Sequence, residues 1–182
     1  MLSESKNPQS FLDNSELVYT ADEITAAIEQ VAQQIVRDLA QSKPVVICVM
    51  TGGLYFLGRL LPQLGFPLEL DYVHATRYQH NLTGNKLNWI KAPPDLTGRM
   101  VLVVDDILDE GVTLAAVKAR CLVAGAADVK TAVLVEKENG HLKIVKSDYC
   151  GLVVPNRFVF GCGMDIEGWW RNSPQIVALK EN

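Results

Sequence analysis

The chain has 182 residues, 48% of them hydrophobic, and a formal charge of -4, enough for one sizeable core and too short for two ordinary domains. That charge, with a pI near 5.4, argues against a nucleic-acid-binding surface held by bulk positive charge. No apolar run approaches the roughly 20 residues of a membrane span, and the N-terminus has no basic stretch leading into an apolar one, so the expectation is one domain over residues 1–182 that handles a small molecule, without nucleic acid or membrane.

Residues 1 to about 19 are polar and read as irregular. Thr20 and Glu23 have the spacing of a capping box, and Ile24, Ala27, Ile28, Val31, Ile35 and Leu39 recur on one helical face, so an amphipathic scaffold helix is predicted, ended by Ser42, Lys43 and Pro44. Pro44 to Met50 is a continuous apolar run, as a strand buried on both faces requires. It empties into Thr51, Gly52 and Gly53, followed by a helical pattern of Leu54, Leu57, Leu61 and Leu64. Leu68 to Thr76 reads as a third strand, and Arg77 to about Lys91 is polar and long for a plain connection.

Asp95 to Arg99 turns the chain into its most informative stretch, Val101 to Leu114. Val101 to Val104 form a buried strand whose carboxyl end carries Asp105 and Asp106, and after Ile107 and Leu108 come Asp109, Glu110, Gly111, Val112 and Thr113. A helix follows, with Leu114, Val117, Cys121 and Ala124 on one face and Gly125 closing it. A strand, a glycine turn and a helix start point backbone N–H groups and a partial positive charge at a phosphate. The acids upstream would repel a bare phosphate and call instead for ribose hydroxyls, a hard divalent cation or a proton to abstract. A sugar phosphate with magnesium satisfies all three; a polar loop that merely caps a core strand needs one Asp, not three acids at these offsets.

Val129 to Val135 is the next strand and ends in Glu136 and Lys137. Lysine at a strand end is ordinarily just solvated. In the last third, Phe158, Val159 and Phe160 read as a small strand, and Trp169 and Trp170 as core or interface aromatics. His74, His80 and His141 share no metal-ligand spacing. Cys48, Cys121, Cys150 and Cys162 show no C-x-x-C spacing and suit a reducing, cytoplasmic setting. Strands alternating with helices give an α/β fold, a mainly parallel sheet with helices on both sides, plus a small hood from the terminal segments. The core is placed at about 20–154 and the hood at about 1–19 and 155–182.

The Val101–Thr113 stretch, two acids after a hydrophobic strand, two apolar residues, then Asp-x-Gly-x-Thr, resembles the phosphoribosyl-pyrophosphate signature of type I phosphoribosyltransferases. The match runs from about Val45 to Arg171 and is similar to the hypoxanthine-guanine branch. The resemblance implies transfer of 5-phosphoribose from phosphoribosyl pyrophosphate to N9 of a 6-oxopurine, with Mg²⁺ as cofactor and a homodimer or homotetramer, for which the Leu54–Leu64 helix could supply a face.

It also assigns roles. Asp105 and Asp106 hold ribose hydroxyls or the metal, directly or through water; Asp109 to Thr113, with Glu110, Gly111 and Val112 acting through their backbone, hold the 5-phosphate. Asp109 shares a proton with purine N7. Thr51 and Gly52, in a turn whose peptide bond before the first glycine can be cis, join Arg171 on pyrophosphate, with Thr51 standing where the branch often has Lys. Lys137 donates to the 6-oxo group, Phe158 stacks on the base, a Val159 carbonyl reads its edge, and Asp165 lies near the metal and the exocyclic group. Arg77 and Tyr78 lead a flap over about 77–91. Two other readings use the same residues: a regulator that senses phosphoribosyl pyrophosphate without turnover, and an all-helical isoprenoid synthase, since Asp105, Asp106 and Asp109 also spell D-D-x-x-D.

Overall fold

The computed structural model describes residues 7–77 and 87–180, with only the backbone at positions 77 and 87. Six strands form the main sheet: β2 (Val45–Met50), β3 (Glu69–Arg77), β4 (Leu87–Lys91), β5 (Met100–Leu108), β6 (Asp128–Glu138) and β7 (Tyr149–Pro155). Their order is β4-β3-β2-β5-β6-β7, and every pair is parallel except β3 with β4.

Alternation along the strands separates two apolar layers. Val46, Cys48, Leu102, Val104, Ala132 and Leu134 face α2 (Ala21–Leu39) and α3 (Gly53–Leu60). Val45, Ile47, Val49, Val101, Val103, Val129 and Val133 face α4 (Val112–Val123) through Leu114, Val117 and Cys121. Both faces of β2 and β5 are therefore dry, which is why these strands are unbroken hydrophobic runs rather than alternating ones.

The helix α2 begins where its cap predicts. Glu23 N–H donates to Thr20 Oγ1 at 3.3 Å, and Thr20 N–H donates back to Glu23 Oε2 at 2.8 Å, closing the capping box. Ile24, Ala27, Ile28, Val31, Ile35 and Leu39 are all buried. The leucine pattern of 54–64 is not one helix: α3 stops at Leu60, and Leu61–Gln63 tighten into a 3-10 turn. Pro62 has no N–H to continue the α ladder.

A second sheet, β1 (Ser15–Tyr19), β9 (Ile176–Leu179) and β8 (Val159–Phe160), joins the two ends of the chain in the order β1-β9-β8, all antiparallel. This is the hood. The reading of residues 1–19 as irregular is corrected here, since they contain the short helix α1 (Gln9–Asp13) and the strand β1. The stretch Ser15–Tyr19 lacks clean alternation, and its register slips between Leu17 and Tyr19, so periodicity could not reveal it.

Candidate active site

β2 and β5 lie side by side, but β2 leads through α3 to β3 on one flank while β5 leads through α4 to β6 on the other. The point where the strand order reverses opens a crevice at the carboxyl ends of the strands, where ligands bind in open α/β sheets. The pairing of β2 with β5 ends at Cys48 and Val104, whereas β5 continues beside β6 to Leu108. Asp105 and Asp106 are thus inside a strand, not in the loop beyond it. They stand just beyond the point where the pairing with β2 ends, while β2 itself runs on beside β3 to Met50.

A cavity of about 560 Å³ fills this crevice. It is lined by Thr51 and Gly52 from the end of β2, by the Asp105–Gly111 segment, by Thr113 at the start of α4, and by Asp165 and Arg171 from the hood side. Ala75 and Thr76 of β3 also line it. Sequence reasoning missed these two, although their place at the carboxyl end of a parallel strand beside β2 was the available signal. Val112 lies outside this lining, on a neighbouring cavity of about 520 Å³ that shares Asp109 and Glu110.

The approach of backbones explains the glycines. A Cβ on Gly52 would fall onto the Asp106 carboxylate, and one on Gly53 would sit 2.6 Å from the Val104 carbonyl oxygen. Gly163 in turn packs against the Gly52 carbonyl. The cis peptide lies between Met50 and Thr51, one bond earlier than expected. Gly111 adopts φ 85° as the N-cap of α4, a left-handed conformation open to glycine, and offers no side-chain cap to the first turn.

Asp105 is buried, and burial followed by the charge of Asp106 raises its pKa well above the usual carboxylate range. Burial also raises Asp106, against the pull of hydrogen bonds and of Arg171. Two carboxylates crowded in a dry crevice resist ionising together. Their electrostatic demand is for a cation or for hydroxyl donors.

Arg171 Nη2 lies 2.5 Å from Asp165 Oδ1, Gly168 N–H donates to Asp165 Oδ2 at 2.7 Å, and Arg171 Nη1 donates to the Gly163 carbonyl at 2.7 Å. The loop behind Gly52 thereby fixes the guanidinium at the cavity wall. Among the described residues no three His, Cys, Asp or Glu groups converge on a metal-sized site. The hard oxygen donors of Asp105, Asp106 and Asp165 nevertheless suit Mg²⁺, which usually takes one or two carboxylates together with phosphate oxygens and water.

Beyond the phosphate-loop turn, Lys137 Nζ lies 2.9 Å from Asp109 Oδ2, and Asn139 Nδ2 lies 3.2 Å from Asp109 Oδ1. Lys137, Phe158 and Val159 do not line the cavity of the acids. Phe158 is 51% exposed at the edge of the hood, and Val159 is buried in β8. The polar stretch 77–91 is in part a strand, because Leu87–Lys91 pair with His74–Arg77. Tyr78 and the Arg77 side chain lie outside the described residues.

The site belongs to a strand-turn-helix unit, which overturns the D-D-x-x-D reading, since that motif chelates from a helix and Asp105 and Asp106 are in β5. Residues 16–167 match the family model described as "Phosphoribosyl transferase domain". The chain is 36% identical to a hypoxanthine-guanine-xanthine phosphoribosyltransferase of Tritrichomonas foetus, covering 93% of this chain and 94% of that one. It is 32% identical to a hypoxanthine-guanine phosphoribosyltransferase of Streptococcus pneumoniae, covering 93% and 95%. Its fold is similar to that of the Trypanosoma cruzi hypoxanthine phosphoribosyltransferase in a ternary substrates complex, with a TM-score of 0.83, 27% identity and coverage of 92% and 97%.

Proposed function

This chain belongs to the type I phosphoribosyltransferase family, in its hypoxanthine-guanine branch, and we infer that it is a purine-salvage enzyme that transfers 5-phosphoribose from phosphoribosyl pyrophosphate to N9 of hypoxanthine or guanine, giving IMP or GMP and pyrophosphate. The observation that carries this reading is the contact of Asp109, on the phosphate loop, with Lys137 at the end of β6. One carboxylate joins the residues suited to the sugar phosphate with the residue suited to the base.

In the proposed mechanism the backbone of Asp109 to Thr113 grips the 5-phosphate at the start of α4. Asp105 and Asp106 bind the ribose hydroxyls. Arg171 and the Thr51–Gly52 backbone neutralise charge on the departing pyrophosphate as the C1–O bond lengthens. Asp105, Asp106 and Asp165 would hold Mg²⁺, whose chemistry there is Lewis-acid stabilisation of the leaving group. Asp109 accepts the N7 proton, which makes N9 a better nucleophile toward the oxocarbenium-like sugar. Lys137 donates to the 6-oxo group, and Phe158 stacks on the ring. Adenine offers an amino group at C6, which cannot accept that bond and would leave a desolvated lysine unpaired. We place Arg77 and Tyr78 at the leading edge of a flap that keeps water from the sugar cation.

The proposed setting is the cytoplasm, and the proposed assembly is a homodimer or homotetramer. Supporting the first, Cys48, Cys121, Cys150 and Cys162 are free thiols. Supporting the second, Leu54 on α3 and Leu70 and Tyr72 on β3 remain about half exposed, at 53%, 56% and 45%. The domain assignment over 1–182 is proposed with them.

Pyrophosphate release by the purified chain, measured with phosphoribosyl pyrophosphate, Mg²⁺ and each of hypoxanthine, guanine, xanthine, adenine, uracil and orotate, tests the reading. Release with 6-oxopurines alone is expected. Release with adenine or a pyrimidine alone, or with no base, overturns it.

A further inference from the structure

We propose that Asn139 is a positioning residue for the reaction: its side-chain amide holds the Asp109 carboxylate in place while Lys137 turns from Asp109 to the base. The proposal rests on the function inferred above and adds a residue that the signature of the phosphate loop does not contain.

Asn139 follows the last residue of β6, two positions after Lys137. Its Nδ2 donates to Asp109 Oδ1 at 3.2 Å and reaches the Asp109 backbone oxygen at 3.4 Å, while its Oδ1 accepts from His141 N–H at 3.2 Å. The amide orientation follows from chemistry, because an ionised carboxylate and a carbonyl can only accept, and a backbone N–H can only donate. Asn139 is therefore fixed on one side by its own loop and presents its two-proton donor to Asp109 on the other.

The two partners of Asp109 differ in kind. Lys137 reaches Oδ2 with a cation on a flexible stem, and its three N–H donors are wanted by the 6-oxo group of the base. Asn139 reaches Oδ1 with a short neutral group that has no other described demand on its nitrogen than Asp109 itself. When Lys137 shifts its donors to the base, Asp109 keeps one oxygen anchored and the other free for the N7 proton. A general base needs this, since proton transfer works only within about 2.6–3.2 Å of the proton's heavy atom.

The loop behind Asn139 is itself tied to the site. Lys143 Nζ is 2.8 Å from Glu136 Oε1 and 2.7 Å from the Lys137 carbonyl, and Ile144 N–H donates to the Glu110 carbonyl at 3.3 Å. The 139–144 segment thus braces the phosphate loop against the end of β6, and Asn139 is the point of that brace that touches the reacting carboxylate.

The test is steady-state kinetics and thermal melting of the full chain as wild type, Asn139→Ala and Asn139→Asp, with phosphoribosyl pyrophosphate, Mg²⁺ and hypoxanthine or guanine. Asn139→Asp keeps an acceptor for His141 N–H, and so the loop turn, but removes the donor and sets a like charge beside Asp109. If Asn139 positions Asp109, kcat falls about tenfold or more in both variants, the Asp form at least as impaired as the Ala form, a change of about 1.4 kcal/mol in the barrier. The KM for phosphoribosyl pyrophosphate then stays within about threefold, as loss of an interaction made in the transition state requires. Recovery of wild-type kcat by Asn139→Asp where Asn139→Ala is impaired, a loss confined to KM, or no loss in either variant overturns the proposal. A wild type that turns over no base overturns the function and the proposal together, whereas an active wild type with indifferent variants overturns the proposal alone.

Discussion

Lys137 Nζ and Asp109 Oδ2 stand 2.9 Å apart across 28 residues of sequence. The lysine side chain is 13% exposed and the aspartate 43%, so the cation is the more costly of the two to leave unpaired. Asp109 satisfies it in the free protein, and in the proposed mechanism the 6-oxo group of the base takes over as its partner. Replacing Lys137 with Ala is expected to raise the KM for hypoxanthine and guanine about 10- to 100-fold, the worth of one charge-assisted hydrogen bond. Discrimination against adenine should narrow at the same time. Competition kinetics with adenine and hypoxanthine check this, and an unaltered preference removes Lys137 from the base site.

Asp109 is the second half of that pair, and its proposed work is on the proton rather than on the sugar phosphate. Asp109→Asn keeps the shape and the helix start but takes away the basic oxygen. We expect kcat to fall about 10²- to 10⁴-fold, the usual size of a general-base contribution, with little change in the KM for phosphoribosyl pyrophosphate. Pre-steady-state turnover of both proteins decides the matter, and equal rates would exclude Asp109 as the base.

Gly52 and Gly53 are neighbours with different duties. A methyl group on Gly52 meets the Asp106 side chain, while one on Gly53 meets the Val104 carbonyl 2.6 Å away and the Asp105 backbone. Gly52→Ala should displace the carboxylate and lose activity with a modest change in melting temperature. Gly53→Ala forces backbones apart in the core and should cost about 1–3 kcal/mol of stability, as overpacking does. Urea unfolding and pyrophosphate release, measured on both variants, would show the opposite ranking if the glycines served only as turns.

That Asp105, Asp106 and Asp109 share one cavity was legible from a buried strand that runs into acids and a glycine turn, and α2 was legible from its cap and period. β1 and β4 were not: one is five residues without clean alternation, and the other, Leu87–Lys91, is a five-residue strand at the end of a mostly polar stretch, separated in sequence from its partner β3. The link from Asp109 to Asn139 spans 30 residues and joins two loop positions, so neither periodicity nor motif spacing could reveal it. The hood depends on pairing the two ends of the chain, a contact that no local pattern encodes.

Asp105 supplies a prediction about pH whose sign follows from its burial and from the charge of Asp106, which together raise its pKa well above the ordinary 3.8 of an aspartate. In the folded state the carboxyl holds its proton at pH values where the unfolded chain has released it. The native state therefore binds more protons, and by linkage stability falls as pH rises from about 3.8 through the raised folded value, then levels off. Asp105→Asn retains the side-chain oxygen that accepts from Asp106 N–H at 3.0 Å but cannot ionise. The ligand-free variant should melt above wild type at pH 7–8. The two melting curves should converge toward pH 4, below the raised value, where the wild-type acid is neutral as well. Calorimetry across this range distinguishes an electrostatically strained pair from an ordinary solvated one, since a constant offset, or a wild type that melts higher at neutral pH, contradicts the strain. If the curves converge while the variant loses turnover, the ionised form of Asp105 is kept for the substrate and the metal at the expense of the empty fold.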